Sequence, residues 1–390
     1  MAEIAPFRGI RYDQSVVGDL SKVTSPPYDV ISPEERVYYH RLHPQNFVRL
    51  ILGEEFDSDK ESDNRFTRAR DYLAKWMDQG VLKQDPSPAI YIYEQRFERE
   101  SKPRTIRGII CAVRLHDYSD NVILPHENTL AKPKSQLIRL LRETNANLDS
   151  IYGLYADEQG VLDRVMDAAI GVAPSDETRD KDGVGHALWV LSEPEAIGLV
   201  VDFMRDRQVA IADGHHRYET ALNYQKIMKE KYPNLTGKEA FNYTLMYFTN
   251  MEDPGLVILP THRLLKDIKF DLDGFLKRAQ LYFDIQTIPF TLENEEQERK
   301  KVLAKMQNEA RQRYLIGLIA KNSGSYFLLR LKDFELVDRI IPAQKSEALR
   351  QLDANIMEHL VFNHLLGISG SDSAWEDQVV FVHTDREAMD

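Results

Sequence analysis

Asp213, Gly214, His215, His216 and Arg217 stand in direct succession: a carboxylate, a glycine, two imidazoles and a guanidinium at one point of the chain. They follow the short apolar run 209–212 and lead into residues 218–222, where apolar residues recur at helical spacing through Tyr224 and Met228. The pattern predicts a strand, a tight loop and a helix. Glycine at the turn permits unusual backbone angles. The free N–H groups of a first helical turn attract anions, and His216 and Arg217 add positive donors. A phosphate is the natural guest. Asp caps helices well and histidines decorate strand ends, but five such residues together point to a site. Asp213 and Glu127 are then available as magnesium ligands or as a base.

A second concentration of chemistry lies upstream. Residues 122–125 lead into His126-Glu127-Asn128-Thr129, followed by Lys132-Pro133-Lys134 and a helical pattern through Leu137, Leu140 and Leu141. Arg139, Arg142, Glu143, Asn145 and Asn147 come close behind, so an imidazole, a carboxylate, lysines and amides can converge there. For Lys132, Lys134, Arg139 and Arg142 the plain alternative is a solvated helix face. Thr261-His262-Arg263 follows an apolar run, 256–260, expected as a strand, and His262 either joins the site or caps an edge. The standard P-loop, the dinucleotide G-x-G-x-x-G and the H-E-x-x-H zinc helix are absent from the sequence. Cys111 sits in an apolar run where its thiol is a poor nucleophile.

The elements that must carry these residues alternate strand and helix. Strands are expected at 47–52, 89–94, 106–113, 151–155, 186–191, 209–212 and 243–248, and helices at 65–79, 158–169, 194–205 and from 218 onward. Ser25-Pro26-Pro27-Tyr28-Asp29 fixes an extended path, and Ser32 before Pro33 reads as a helix cap. Residues 172–185 read as a polar, mobile loop. Beyond 265 the rhythm changes to strand 281–290, helix 293–312, a hairpin of 313–320 with 325–331, an amphipathic helix 352–366 and a strand 379–382. The fold class is therefore α/β, or mixed α+β. It has a central mixed sheet with flanking helices and a smaller C-terminal subdomain. The divisions expected are an N-terminal segment 1–88 packed on the core, a core 89–265 and a subdomain 266–390.

Composition narrows the partners. A formal net charge of −12 over 390 residues argues against a general nucleic-acid binder and leaves room for a small anionic ligand in a local basic pocket. One cysteine excludes an internal disulfide and fits a reducing cytosol. No apolar stretch approaches the ~18 residues a membrane helix needs. A cytoplasmic protein without a membrane partner is expected.

Several of these stretches together resemble the domain of unknown function 1015 family: Pro6-Phe7-Arg8-Gly9, Pro26-Pro27-Tyr28-Asp29-Val30-Ile31, Leu124-Pro125-His126-Glu127, Lys132-Pro133-Lys134, the run 212–221, and Leu259-Pro260-Thr261-His262-Arg263. Members of that family continue past the point where this chain ends, at Asp390, which implies a shortened chain or a short member. More distantly, Asp213-Gly214-His215-His216-Arg217-Tyr218 is similar to the phosphate-binding box of the ParB and sulfiredoxin superfamily, which includes free serine kinases. That resemblance implies a ParB/sulfiredoxin-like core using ATP or ADP with magnesium. Gly214, His215, His216 and Arg217, with Lys134, would hold phosphates, and Asp213 would hold the metal or orient the hydroxyl. Glu127 would be the base, with His126, Lys132, Arg142, Asn147, His262 and Arg263 around the substrate. The reaction implied is phosphoryl transfer to a hydroxyl-bearing metabolite such as free serine. The alternatives are a ParB-type nucleotide switch and a metal-dependent hydrolase with His126, His215, His216 and His262 as ligands.

Overall fold

A computed structural model describes residues 1–99, 101–126, 131–232, 234–259, 261–309, 314–342, 347–368, 378–382 and 384–389, without the side chains of 131, 132, 348 and 349. The chain is mixed α/β and divides into two compact units, Met1–Val257 and Ile258–Asp390.

The first unit is built on nine strands: β1 Ile4–Ala5, β2 Ile90–Arg99, β3 Lys102–Arg114, β4 Ile123–Leu124, β5 Ile151–Tyr155, β6 Asp176–Arg179, β7 Gly185–Leu191, β8 Val209–Asp213 and β9 Tyr243–Asn250. They hydrogen-bond in the order β4-β8-β5-β9-β3-β2-β7-β6, with β1 beside β3. The β4/β8 and β5/β9 pairs are parallel and the rest antiparallel, so the sheet is mixed. Alternation sets one face inward. Ile92, Ile109, Cys111, Met246, Phe248 and Ile211 meet Leu162 and Met166 of the helix Val161–Ala169 and Val200 and Met204 of the helix Pro194–Arg205. Cys111 is fully buried, and burial pushes its thiol well up.

On the other face Tyr152, Tyr247 and Tyr93 lie side by side, with ring centroids 5.2 and 5.3 Å apart. Gly108 on the intervening strand makes this approach possible, because a Cβ there would stand 1.9 Å from the Phe248 carbonyl oxygen and 2.8 Å from the Tyr247 ring. The N-terminal residues belong to this unit. Their ribbon, Ile10–Tyr12 paired with Leu82–Gln84, is tied in by Arg11, which bridges Asp85 and Asp176 of β6.

Three expectations are corrected here. Residues 47–52 are not a strand, because Val48–Ile51 is helical. The Asn46 side chain accepts the Val48 N–H and donates to the Lys22 and Thr24 carbonyls, starting a helical turn that a short apolar run cannot by itself distinguish from a strand. The loop expected at 172–185 contains β6, and Asp180 closes the β6–β7 turn by accepting the Asp182 and Val184 N–H groups. The run 256–259 forms no strand. Pairing begins at His262, and Ile258 stands 87% exposed, with no strand beside it among the described residues.

The second unit carries a three-stranded antiparallel sheet, with Ser325–Leu331 between Phe283–Pro289 and Leu315–Ile319. One face packs Phe327, Leu329 and Leu331 against Phe275, Val337 and Leu360. The other packs Tyr326 and Leu328 against Val302 of the helix Glu295–Glu309. The helix expected at 352–366 begins as Asp353–Ile356 and continues as a π-helix, Met357–Leu366, which Gly367 ends at φ 70°. His262–Leu265 pairs with Val379–Val382.

Candidate functional site

Gly214 joins β8 to a 17-residue helix, His215–Lys231. Its φ of 94° belongs to the left-handed region, and a Cβ at this position would press to 3.0 Å from Arg217 Nε. Glycine therefore serves both the turn and the guanidinium behind it. His215 is buried, and its Nε2 accepts the backbone N–H of His126 at 3.2 Å, with the two rings edge to face 4.5 Å apart. That contact holds the end of the 122–126 segment against the start of the helix. His216 is half-buried near Asp29, whose carboxylate its charge favours.

Arg217 is the electrostatic centre. Its side chain is 9% exposed and meets three carboxylates, Asp213 at 2.5 Å, Asp149 at 3.1 Å and Asp29 at 3.6 Å, while Nη1 also donates to the Ser150 carbonyl. Burial opposes the guanidinium charge, and the three carboxylates outweigh it and raise its pKa. Burial lifts the Asp149 carboxyl from 3.8 to about 6 against the pull of Arg217, with Asp29 and Asp213 adding repulsion. Asp29 is raised by the same cause. Burial also pushes Tyr28 up to about 12.

Two openings flank the helix that follows. A pocket of about 570 Å³ is lined by Asp117, Tyr118, Lys134, Glu219, Asn223 and Lys226, among others. A smaller cleft of about 60 Å³ is lined by Tyr28, Asp149, Arg217 and Thr220 together with leucines of the helix Ala131–Thr144. Thr220 lines both.

Of the residues expected at the site, Asp213, Gly214, His215, His216, Arg217 and His126 gather at this corner. Lys134 belongs to the helix Ala131–Thr144 and pairs at 2.8 Å with Glu219, one turn along the helix His215–Lys231. Arg142 is exposed on its helix, and Asn147 Oδ1 accepts from Thr244 at 3.5 Å beside the small cleft. Glu127 and the Lys132 side chain lie outside the described residues. His262 and Arg263 belong to the second unit, where Arg263 covers the Phe381 ring at 5.6 Å. Among the described residues no group of three or more His, Cys, Asp or Glu side chains is arranged to hold a metal ion by itself.

The sequence reading did not single out Asp149, Ser150 or Thr220. Asp149 and Ser150 precede a strand with no motif around them, and Thr220 is one of many helical threonines. Asp29 was not singled out either, although the paired prolines before it were a signal of its placement. Pro26 and Pro27 extend the chain into the 3-10 turn Tyr28–Val30, which brings Asp29 to Arg217.

No curated protein and no solved structure matches this chain. A family model does, over residues 4–355, which is most of the chain and includes the whole corner just described. The chain belongs to the family described as protein of unknown function (DUF1015).

Proposed function

We propose that the chain is a cytoplasmic, nucleotide-dependent phosphotransferase that moves a phosphoryl group to a small hydroxyl-bearing metabolite. The observation that carries this reading is the helix beginning at Gly214, with the Arg217 guanidinium set in its first turn among three carboxylates. The helix N-terminus and His216 attract phosphate oxygens. Asp213, 61% exposed and paired with Arg217, would meet a magnesium ion that arrives with the nucleotide. Magnesium uses one or two protein carboxylates, with water and phosphate completing its shell, so a protein-only cage is not required. Phosphoryl transfer asks chiefly for alignment and charge neutralisation; the helix N-terminus and His216 would align the phosphates, and the magnesium ion arriving with the nucleotide would supply the positive charge that the carboxylates around Arg217 take up. The resemblance of the box's sequence to the ParB/sulfiredoxin phosphate box would imply the same guest.

A nucleotide-binding switch is the second reading. What favours it is that Arg217 already has carboxylate partners, so an arriving phosphate must compete with Asp213, and binding would be coupled to a local rearrangement. The metal-dependent hydrolase finds no three-ligand group among the described residues.

The test is a thermal-shift panel of ATP, ADP, CTP and GTP with and without magnesium, followed by assay of labelled phosphate transfer to hydroxy amino acids. Ligand at about 100 times its Kd should add ~2.7 kcal/mol of stability, and His216→Ala should abolish the shift. Transfer of label supports the phosphotransferase. Binding without transfer leaves the switch, and no shift with any nucleotide removes both.

A further inference from the structure

The small cleft between the helix Ala131–Thr144 and the helix His215–Lys231 has two unlike sides. Leu137, Leu140, Leu141 and Leu148 make an apolar wall, and Asp149, Arg217 and Thr220 face the same space. Each of these three carries a shielded polar atom with no hydrogen-bond partner among the described residues: Asp149 Oδ2, Arg217 Nε and Thr220 Oγ1. Thr220 is 4% exposed. A helical threonine at such depth ordinarily bonds back to the carbonyl one turn earlier, and this one does not. Buried Nε atoms of other arginines also lack partners, but here one stands with a carboxylate and a hydroxyl on a single cleft, and that combination suits a guest.

Their chemistry specifies that guest. The Asp149 carboxylate only accepts, Arg217 Nε–H only donates, and the Thr220 hydroxyl does either. A hydroxyl group donates one hydrogen bond and accepts others, and it satisfies this set as neither a carbonyl nor an ammonium group does. The leucine wall suits a short carbon chain, and about 60 Å³ holds the equivalent of about four waters.

We propose that this cleft is the acceptor subsite of the phosphotransferase, receiving a hydroxyl on a short aliphatic chain, with Asp149 as its proton acceptor. The assignment rests on the reading of the preceding subsection. In the step it describes, the substrate oxygen forms a bond to the terminal phosphorus of the nucleotide. The bond from that phosphorus to the bridging oxygen breaks, and the shortened nucleotide leaves with the electron pair. The hydroxyl proton passes to Asp149 Oδ2. Arg217 links the two halves of the site, since Nη2 reaches Asp213 at the open edge while the residue also lines the cleft.

The test uses the full chain and three pairs of compounds that differ by one hydroxyl: L-serine and L-alanine, L-threonine and L-2-aminobutyrate, 3-hydroxybutyrate and butyrate. Carboxyl-carbon NMR on aspartate-labelled protein reads the Asp149 signal directly. At least one hydroxylated member should shift that signal and bind about tenfold more tightly than its partner. Thr220→Val, which removes an unpaired hydroxyl and keeps the side-chain shape, should erase the preference. In Asp149→Asn, turnover should fall by about 10²–10⁴ with nucleotide affinity kept, and the acidic limb of the pH profile should vanish. Equal binding within every pair, binding of none, or a preference that survives in Thr220→Val overturns the subsite. A hydroxyl preference without phosphoryl transfer keeps the subsite and overturns the phosphotransferase, whereas transfer unaffected by Asp149→Asn does the reverse.

Discussion

Arg217 faces more negative charge than it can balance, and this fixes what its removal should do. Asp149 and Asp29 are held partly buried beside it, so Arg217→Ala should leave carboxylates without a counter-charge and cost about 3 kcal/mol or more in urea denaturation. Asp213→Asn should cost under about 1 kcal/mol, because that carboxylate is largely solvated. Asp149 gives a pH dependence of definite sign. Its carboxyl is raised in the folded state, so its contribution to stability is full below the unfolded value of 3.8 and is lost as pH rises through about 6. A shift of that size corresponds to at most about 3 kcal/mol. Relative to wild type, Asp149→Asn should therefore gain stability between about pH 4 and pH 7. Parallel denaturation of the two proteins across that interval checks the direction, and an unchanged difference would remove Asp149 as a titrating group.

At the scale of elements, the corner after β8 was legible because its signals are local. An apolar run, a glycine and a helical repeat lie within twenty residues, and Gly214 takes the positive φ expected of a tight turn. What was not legible is long-range. Asp149 meets Arg217 only because β5 and β8 are sheet neighbours, a pairing that no run of residues announces. Likewise 47–52 reads as a strand until the Asn46 side chain is seen bridging Lys22 and Thr24. Gly214→Ala should destabilise by roughly 1–2 kcal/mol through the left-handed backbone, and should also weaken nucleotide binding through its crowding of Arg217. Gly108→Ala should reach or exceed the upper end of ~1–3 kcal/mol, since its Cβ would meet backbone rather than a movable side-chain end. Denaturant midpoints measured with unchanged slopes distinguish these losses from a change of fold.

For the whole molecule, the two units meet in sequence at Val257 and Ile258, just before Leu259-Pro260-Thr261-His262-Arg263 and ahead of the change of rhythm at 265. Residues 256–259 lie outside regular structure and expose Ile258 and Leu259. A protease that prefers apolar side chains should make its first cut there, giving fragments near 257 and 133 residues, and mass spectrometry of a timed digest checks it. The whole described chain also offers no helix long and apolar enough to cross a membrane. Its one cysteine has a consequence for the bench. Cys111 is sealed under the sheet with its thiol held protonated, so the native chain presents a blank background to maleimide dyes. A cysteine placed at an exposed site on either side of Val257 would take up a fluorophore alone. A nucleotide titration could then be followed by that dye's fluorescence without first stripping any native thiol.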